Sequence, residues 1–344
     1  EILEALKVAA EHGPHQYSIT FGAKNFRDAL ADMYTKKWNR PIDPDKEIVV
    51  TCGGTEAMMA AMMTVCNPGD KVAVFSPFYE NYGADAILSG ADPIYIPLVP
   101  PDFHYDSEAL ERAFQAGAKA LILCNPSNPC GKVFTMGEME EIAELAKRYD
   151  AFVITDEVYE YIIYDGNRHI SMAALPGMYE RTITCSSLSK TYSMTGWRLG
   201  YMCAPEEVIK ACVRVHQYTI TCASSFVQEA AITALNDCDD DVEAMRKEYQ
   251  RRKDYVVKAL NEIDGISCNN PQGAFYIFMN IKELGKSSME MAEYLLETAK
   301  VAMVPGSAFG SEGEGYIRLS YACSYDELVE ACARIKDAVE ALRK

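Results

Sequence analysis

No uninterrupted apolar run in this 344-residue chain approaches the ~18 residues that a membrane-spanning helix needs, so a helical membrane span is excluded. No secretory leader is visible, although the chain opens on Glu1 rather than Met, which leaves room for a leader or further segment ahead of it. Positive charge is scarce: 33 Lys and Arg stand against 50 Asp and Glu, for a formal net charge of −17. An acidic surface repels polyphosphates and anionic lipid, which argues against nucleic acid and membranes as partners. The five histidines, His12, His15, His104, His169 and His216, lack a His-x-x-x-His spacing, and Cys-x-x-Cys is absent, so no metal site is expected. The twelve cysteines are scattered, most of them in apolar contexts, and read as buried, reduced thiols of a cytoplasmic protein rather than as a disulfide framework. There is no internal repeat, no low-complexity linker and no Gly-x-Gly-x-x-Gly of a dinucleotide fold.

What is present is a regular rhythm. Short β-branched runs at 47–51, 71–76, 93–98, 120–124, 152–156, 181–185 and 198–204 alternate with helix-period segments at 55–66, 81–89, 106–115, 135–149 and 205–218. Seven such strands predict an α/β fold, a doubly wound and mainly parallel seven-stranded sheet covered by helices on both faces. Asp106 and Thr135 read as helix N-caps, the second with Glu138 placed for a capping box. After a long charged helical stretch at 224–262 the pattern changes. Strand runs at 265–268, 274–281, 301–304 and 316–321, with helices near 288–299 and 325–343, predict a smaller α+β domain. The expected division is a large domain over 12–245 and a small one over 246–344.

The most informative string is Ser186-Ser187-Leu188-Ser189-Lys190-Thr191-Tyr192-Ser193-Met194-Thr195-Gly196-Trp197-Arg198. It sets one lysine among small hydroxyl residues with an arginine eight positions on. A lysine amine can form a Schiff base with the aldehyde of pyridoxal 5'-phosphate, while hydroxyls and a guanidinium hold a phosphate dianion. Ser-x-x-Lys alone does not separate this from an exposed turn lysine or from an acyl enzyme. Other segments follow predicted strands and suit the same cofactor. Thr51-Cys52-Gly53-Gly54-Thr55 opens a helix, where the main chain of Gly54 and Thr55 can meet a phosphate at the positive end of the dipole. Asp156 ends an apolar strand and can keep a pyridine nitrogen protonated. Tyr159, three residues on, and Asn128, in Asn125-Pro126-Ser127-Asn128-Pro129, can both donate to the cofactor's phenolic oxygen. Arg318 stands alone inside an apolar strand, Gly315-Tyr316-Ile317-Arg318-Leu319-Ser320, and so needs an anion, either a ligand carboxylate or a structural ion-pair partner.

Together these strings, in this order from about residue 12 to about residue 340, resemble the class I aminotransferases of fold type I. The resemblance implies a pyridoxal-phosphate enzyme that moves an amino group between an L-amino acid and a 2-oxo acid by a ping-pong reaction through a lysine Schiff base and pyridoxamine phosphate. It makes Lys190 both anchor and proton shuttle, with Ser187 and Arg198 on the phosphate. It puts Tyr79, in Ser76-Pro77-Phe78-Tyr79, on the pyridine face, although core packing explains an aromatic there equally well and would serve Phe78. It gives Arg318 and Asn128 to the substrate. It also implies a homodimer in which Tyr17, in His15-Gln16-Tyr17-Ser18, reaches the phosphate of the neighbouring active site. Part of the small domain and an arm that closes the pocket, present in the family, would precede Glu1. Segments 164–181 and 215–218 look most like the aromatic, methionine, glutamine and kynurenine enzymes, and no second arginine is placed to hold a side-chain carboxylate. Two alternatives share part of the motif set: a carbon–sulfur β-lyase, and an aminotransferase-like effector domain of a transcription regulator.

Overall fold

In the computed structural model, which describes residues 1–344, the β-branched runs form eleven strands: β1 (Ile48–Thr51), β2 (Lys71–Ser76), β3 (Asp92–Val99), β4 (His104–Tyr105), β5 (Ala118–Cys124), β6 (Phe152–Asp156), β7 (Thr182–Ser187), β8 (Gly200–Cys203), β9 (Tyr276–Asn280), β10 (Val304–Pro305) and β11 (Tyr316–Ser320). The first eight make one sheet in the order β1-β8-β7-β6-β5-β2-β3-β4, and the last three make a second in the order β10-β11-β9. Strands β3, β2, β5, β6 and β7 are parallel, whereas β8 runs against both of its neighbours. The chain winds outward in one direction from β2 to β3 and in the other from β5 to β7. Neighbouring strands β2 and β5 therefore mark the switch point beside which such sheets bind ligands at their carboxyl ends.

The large sheet has eight strands rather than seven. The extra one, β4, is a two-residue antiparallel addition to the end of β3, too short for a period-two pattern to show in the sequence. The run 265–268 is not a strand and contributes one bridge, Ser267 to Asn280. The charged stretch at 224–262 divides at Cys238 into two helices, Ser225–Asp237 and Asp239–Asn261, and the second runs unbroken past residue 245. The caps form as expected: Asp106 accepts from Glu108 N, and Thr135 makes a capping box with Glu138.

Alternation along the strands loads both faces of the large sheet. Ala73, Phe75, Leu121, Leu123 and Val153 enter a core of 26 residues that also contains Leu110, Phe114, Met139 and Ile142 from the helices Ser107–Gln115 and Met136–Arg148. Their neighbours Val72, Val74, Ile122 and Ile154 enter a separate core of 23 residues with the helices Gly54–Val65 and Glu206–Thr219. A sheet buried on both sides fixes its strand ends firmly, which is what a site built from those ends requires. The small sheet packs its apolar face with Asp239–Asn261, Ser288–Thr298 and Tyr325–Leu342. No helix is long and apolar enough to cross a membrane.

Candidate active site

Loops leaving the carboxyl ends of β2, β5, β6 and β7 converge with the start of the helix Gly54–Val65 and with β11 around a cavity of about 290 Å³. Gly54, Thr55, Tyr79, Asn128, Asp156, Tyr159, Ser187, Lys190, Arg198 and Arg318 all line it. Tyr17 does not: it is 82% exposed on the outer surface. Phe78 stacks flat on Tyr95 at 5.0 Å and joins a hydrophobic core, so of the two adjacent aromatics only Tyr79 faces the cavity.

One end is an anion cup. The helix Gly54–Val65 starts without any side-chain cap, leaving its first N–H groups free. Its N-cap, Gly53, has φ 84°, and a β-carbon there would collide with the Arg198 guanidinium lying against it. Arg198 itself sits in the left-handed region at φ 52° and ψ 52°, an unfavourable backbone for a long side chain of the kind found at functional sites. Its Nη1 donates to Thr195 O at 3.0 Å. Ser187 caps the short helix Leu188–Thr191 that carries Lys190, accepting from Ser189 N at 3.3 Å.

The Lys190 ammonium lies 5.6 Å from the Phe275 ring centroid and 6.0 Å from that of Tyr159. Burial pulls its pKa down, Arg318 and Arg198 push the same way, and Asp156 opposes them. A lowered pKa enlarges the fraction of free amine, the form that acts as nucleophile and base. Asp156 is buried at the end of β6, and its Oδ2 accepts from the Tyr82 hydroxyl at 2.7 Å. Burial pushes its pKa up, while Tyr82, Val158 N and Lys190 hold it down. Behind it Asp85, 2% exposed and with no partner for Oδ2, is raised to about 7 by burial and by the Asp156 charge.

The residue after Asp156 is anchored in the opposite sense. Glu157 accepts from Thr155 Oγ1 at 3.1 Å and Ser171 Oγ at 2.9 Å, and Lys37 bridges Glu157 and Glu160. His169 Nε2 lies 3.5 Å from Glu157, and burial pushes the imidazole down to about 4, so it is neutral at physiological pH. This buried charge cluster locks the turn that presents Asp156.

At the substrate end, Arg318 Nη1 donates to Asn128 Oδ1 at 2.9 Å, and the guanidinium lies over the rings of Tyr276 and Phe309 at 4.5 and 4.6 Å. No acidic side chain pairs with it, and its buried Nε has no partner. A structural ion pair, the rival reading of Arg318, is therefore not what the structure contains. Tyr159 is buried and shares a 2.9 Å hydrogen bond with Tyr276. Sequence reasoning assigned no role to Tyr82, Tyr276 or Glu80, which also line the cavity. Tyr82 was findable as the aromatic three residues beyond Tyr79, at the start of the helix Asn81–Ser89. Tyr276 carried no signal beyond lying in an apolar strand.

A lysine after β7, an acid at the end of β6 and an uncapped helix start at the end of β1, all on a mainly parallel doubly wound sheet, define a transferase of fold type I. The aromatic aminotransferase from Pyrococcus horikoshii superposes with a TM-score of 0.96 at 40% identity, covering 99% of this chain and 92% of that one. The aminotransferase class I and II family profile matches residues 1–335, and the chain belongs to that family. Among its relatives are aromatic-amino-acid aminotransferase 2 of Thermococcus litoralis, 41% identical over 98% of this chain and 88% of that protein, and the aspartate aminotransferase of Pyrococcus abyssi, 43% identical over 97% and 87%. The protein is an aminotransferase, and nothing among these relatives favours the β-lyase alternative.

Proposed function

We propose that the cavity binds pyridoxal 5'-phosphate and that the enzyme passes an amino group from an L-amino acid with an aromatic or other uncharged side chain, such as methionine or glutamine, to a 2-oxo acid. The observation that carries this reading is the meeting, around one cavity, of an amine with depressed pKa, a buried carboxylate and an anion cup free of any protein anion. When bound, the cofactor supplies an aldehyde for the amine and a ring that withdraws the electron pair left at the substrate's Cα.

The protein's part is to bind, orient and move protons. Arg198, Ser187, Thr55 and the Gly54 main chain hold a dianion at the helix start. Asp156, whose ionised form the 2.7 Å bond from Tyr82 favours against the effect of burial, would pair with a protonated ring nitrogen. Tyr159 and Asn128 donate to the phenolic oxygen, and Tyr79 covers the ring face. Arg318, steadied by Asn128 and flanked by two rings, offers its remaining donors to the α-carboxylate and so fixes which Cα bond faces the chemistry. Lys190 would take the substrate's Cα proton as the free amine and, as the ammonium, give it back at the carbon two bonds away.

Tyr79, Tyr276 and Met58 favour an uncharged donor side chain, and both arginines of the lining already have tasks. Exposed Tyr17 suits a role in the cavity of a second copy, in a homodimer with shared sites. Twelve unpaired thiols fit a reducing, cytoplasmic setting.

The test is an absorbance spectrum of the purified protein, recorded before and after single amino acids are added without acceptor. The expected result is a near-visible band that is lost with aromatic donors and is missing in Lys190→Ala. A band that persists with every amino acid, or ammonia released in place of band conversion, rejects the reading.

A further inference from the structure

Tyr276 has no place in the site expected from the sequence, yet it touches both halves of it. It lies on β9, in register with Ser320 of β11, two residues beyond Arg318. Its hydroxyl is 2.9 Å from the Tyr159 hydroxyl, both side chains are buried, and the Arg318 guanidinium lies 4.5 Å from its ring centroid. A phenol has one proton to donate and can accept others. If Tyr159 donates to Tyr276, it has no proton for the cavity. If Tyr276 donates, the Tyr159 proton is free to point inward, and the accepted bond polarises its O–H. Burial raises both phenols, so neither ionises near neutral pH. The Arg318 guanidinium, 4.5 Å from the Tyr276 ring, makes that phenol the better donor of the two, since the Lys190 ammonium stands farther from Tyr159, at 6.0 Å.

We propose that Tyr276 is a positioning residue with two separable tasks: its proton goes to Tyr159, so that Tyr159 donates to the cofactor's phenolic oxygen, and its ring backs the Arg318 guanidinium that receives the substrate carboxylate. The proposal rests on the pyridoxal phosphate reading above. Other ionisable groups bearing on the pair are Lys190 after β7, Asp156 and Cys124 at the ends of β6 and β5, Arg318 on β11, and Tyr79 and Glu80 ahead of the helix Asn81–Ser89. Tyr276→Phe leaves all of them in place and keeps the ring.

The experiment is a spectrophotometric pH titration of the cofactor band in the holoenzyme, with steady-state kinetics alongside. A weaker donor to the phenolic oxygen destabilises its ionised form, so the band of Tyr276→Phe titrates at higher pH. Cooperative strengthening of 10–30% on a charge-assisted hydrogen bond corresponds to an upward shift of about 0.1 to 0.7 pH unit. The amino-acid KM of Tyr276→Phe stays near the parent value, whereas Tyr276→Leu, which also removes the ring, raises it. In a Tyr159→Phe background, Tyr276→Phe moves the midpoint no further, because the relay is already cut. A midpoint that is unmoved, or lowered because Tyr159 had been donating to Tyr276, overturns the relay while the cofactor reading stands. An undiminished shift in the Tyr159→Phe background overturns it as well. A parent protein with no titrating cofactor band overturns the underlying reading and the proposal with it.

Discussion

Asp85→Asn should make the enzyme more stable, by an amount that grows as pH rises from about 4 to about 7. Asp85 lies in the helix Asn81–Ser89, 2% exposed, with Oδ2 unpartnered and the Asp156 charge nearby. Burial therefore holds its pKa at about 7 against 3.8 for the free side chain. Between those values the folded protein binds a proton that the unfolded chain has released, so stability falls as pH rises from about 4 to about 7 and stays lower above it. A difference of roughly 3 pH units corresponds to about 4 kcal/mol at pH 8. Asparagine imitates the protonated acid and never ionises. Urea denaturation of parent and variant at pH 4, 5, 6, 7 and 8 should show a difference that is small at pH 4, about 1.6 kcal/mol at pH 5, and wider above that in favour of the variant, approaching about 4 kcal/mol. A variant no more stable than the parent at pH 8, or a difference that is flat in pH, would refute the claim that the folded protein buries this charge.

Two further outcomes follow from the site. Tyr82→Phe removes the 2.7 Å donor to Asp156 Oδ2. A hydrogen bond to a charged group contributes about 1.5–3 kcal/mol, so the Asp156 pKa should rise by roughly 1–2 units. The ionised form is then lost at higher pH, and the acid limb of the kcat/KM profile should move up by that amount; an unchanged profile would show that Tyr82 does not govern Asp156. Arg318→Ala removes a guanidinium with unused donors, and the loss of charge-assisted bonds to the carboxylate should raise the amino-acid KM by about 10²-fold or more with cofactor retained. A KM within threefold (about 0.7 kcal/mol) of the parent would return Arg318 to a purely structural role.

Lys190, Asp156, Asn128 and Arg198 were legible in the sequence because each belongs to a short string at the end of a strand, where local chemistry and position in the fold coincide. The same holds for the helix caps at Asp106 and Thr135 and for the seven long strands, whose periodicity is local. What escaped notice was non-local or very short. Tyr159 and Tyr276 meet across 117 residues of chain, and nothing near Tyr276 distinguishes it from a packing aromatic. The two-residue β4 has no period to detect, and the break at Cys238 lies in a stretch that is polar and helical on both sides. The run 265–268 has strand composition, but only Ser267 finds a bridging partner, at Asn280. Arg318 was readable as a cation in need of an anion; that no protein acid meets it became clear only from the folded chain.

The two sheets divide the labour of the site unequally. Every residue assigned to the cofactor within one copy of the chain comes from the large sheet and its loops, whereas Arg318 and Tyr276 come from the small one, joined to the rest through Asn128 and Tyr159. Such a layout makes the site depend on how the two sheets sit against each other, since any shift of β9 and β11 carries Arg318 and Tyr276 away from Asn128 and Tyr159.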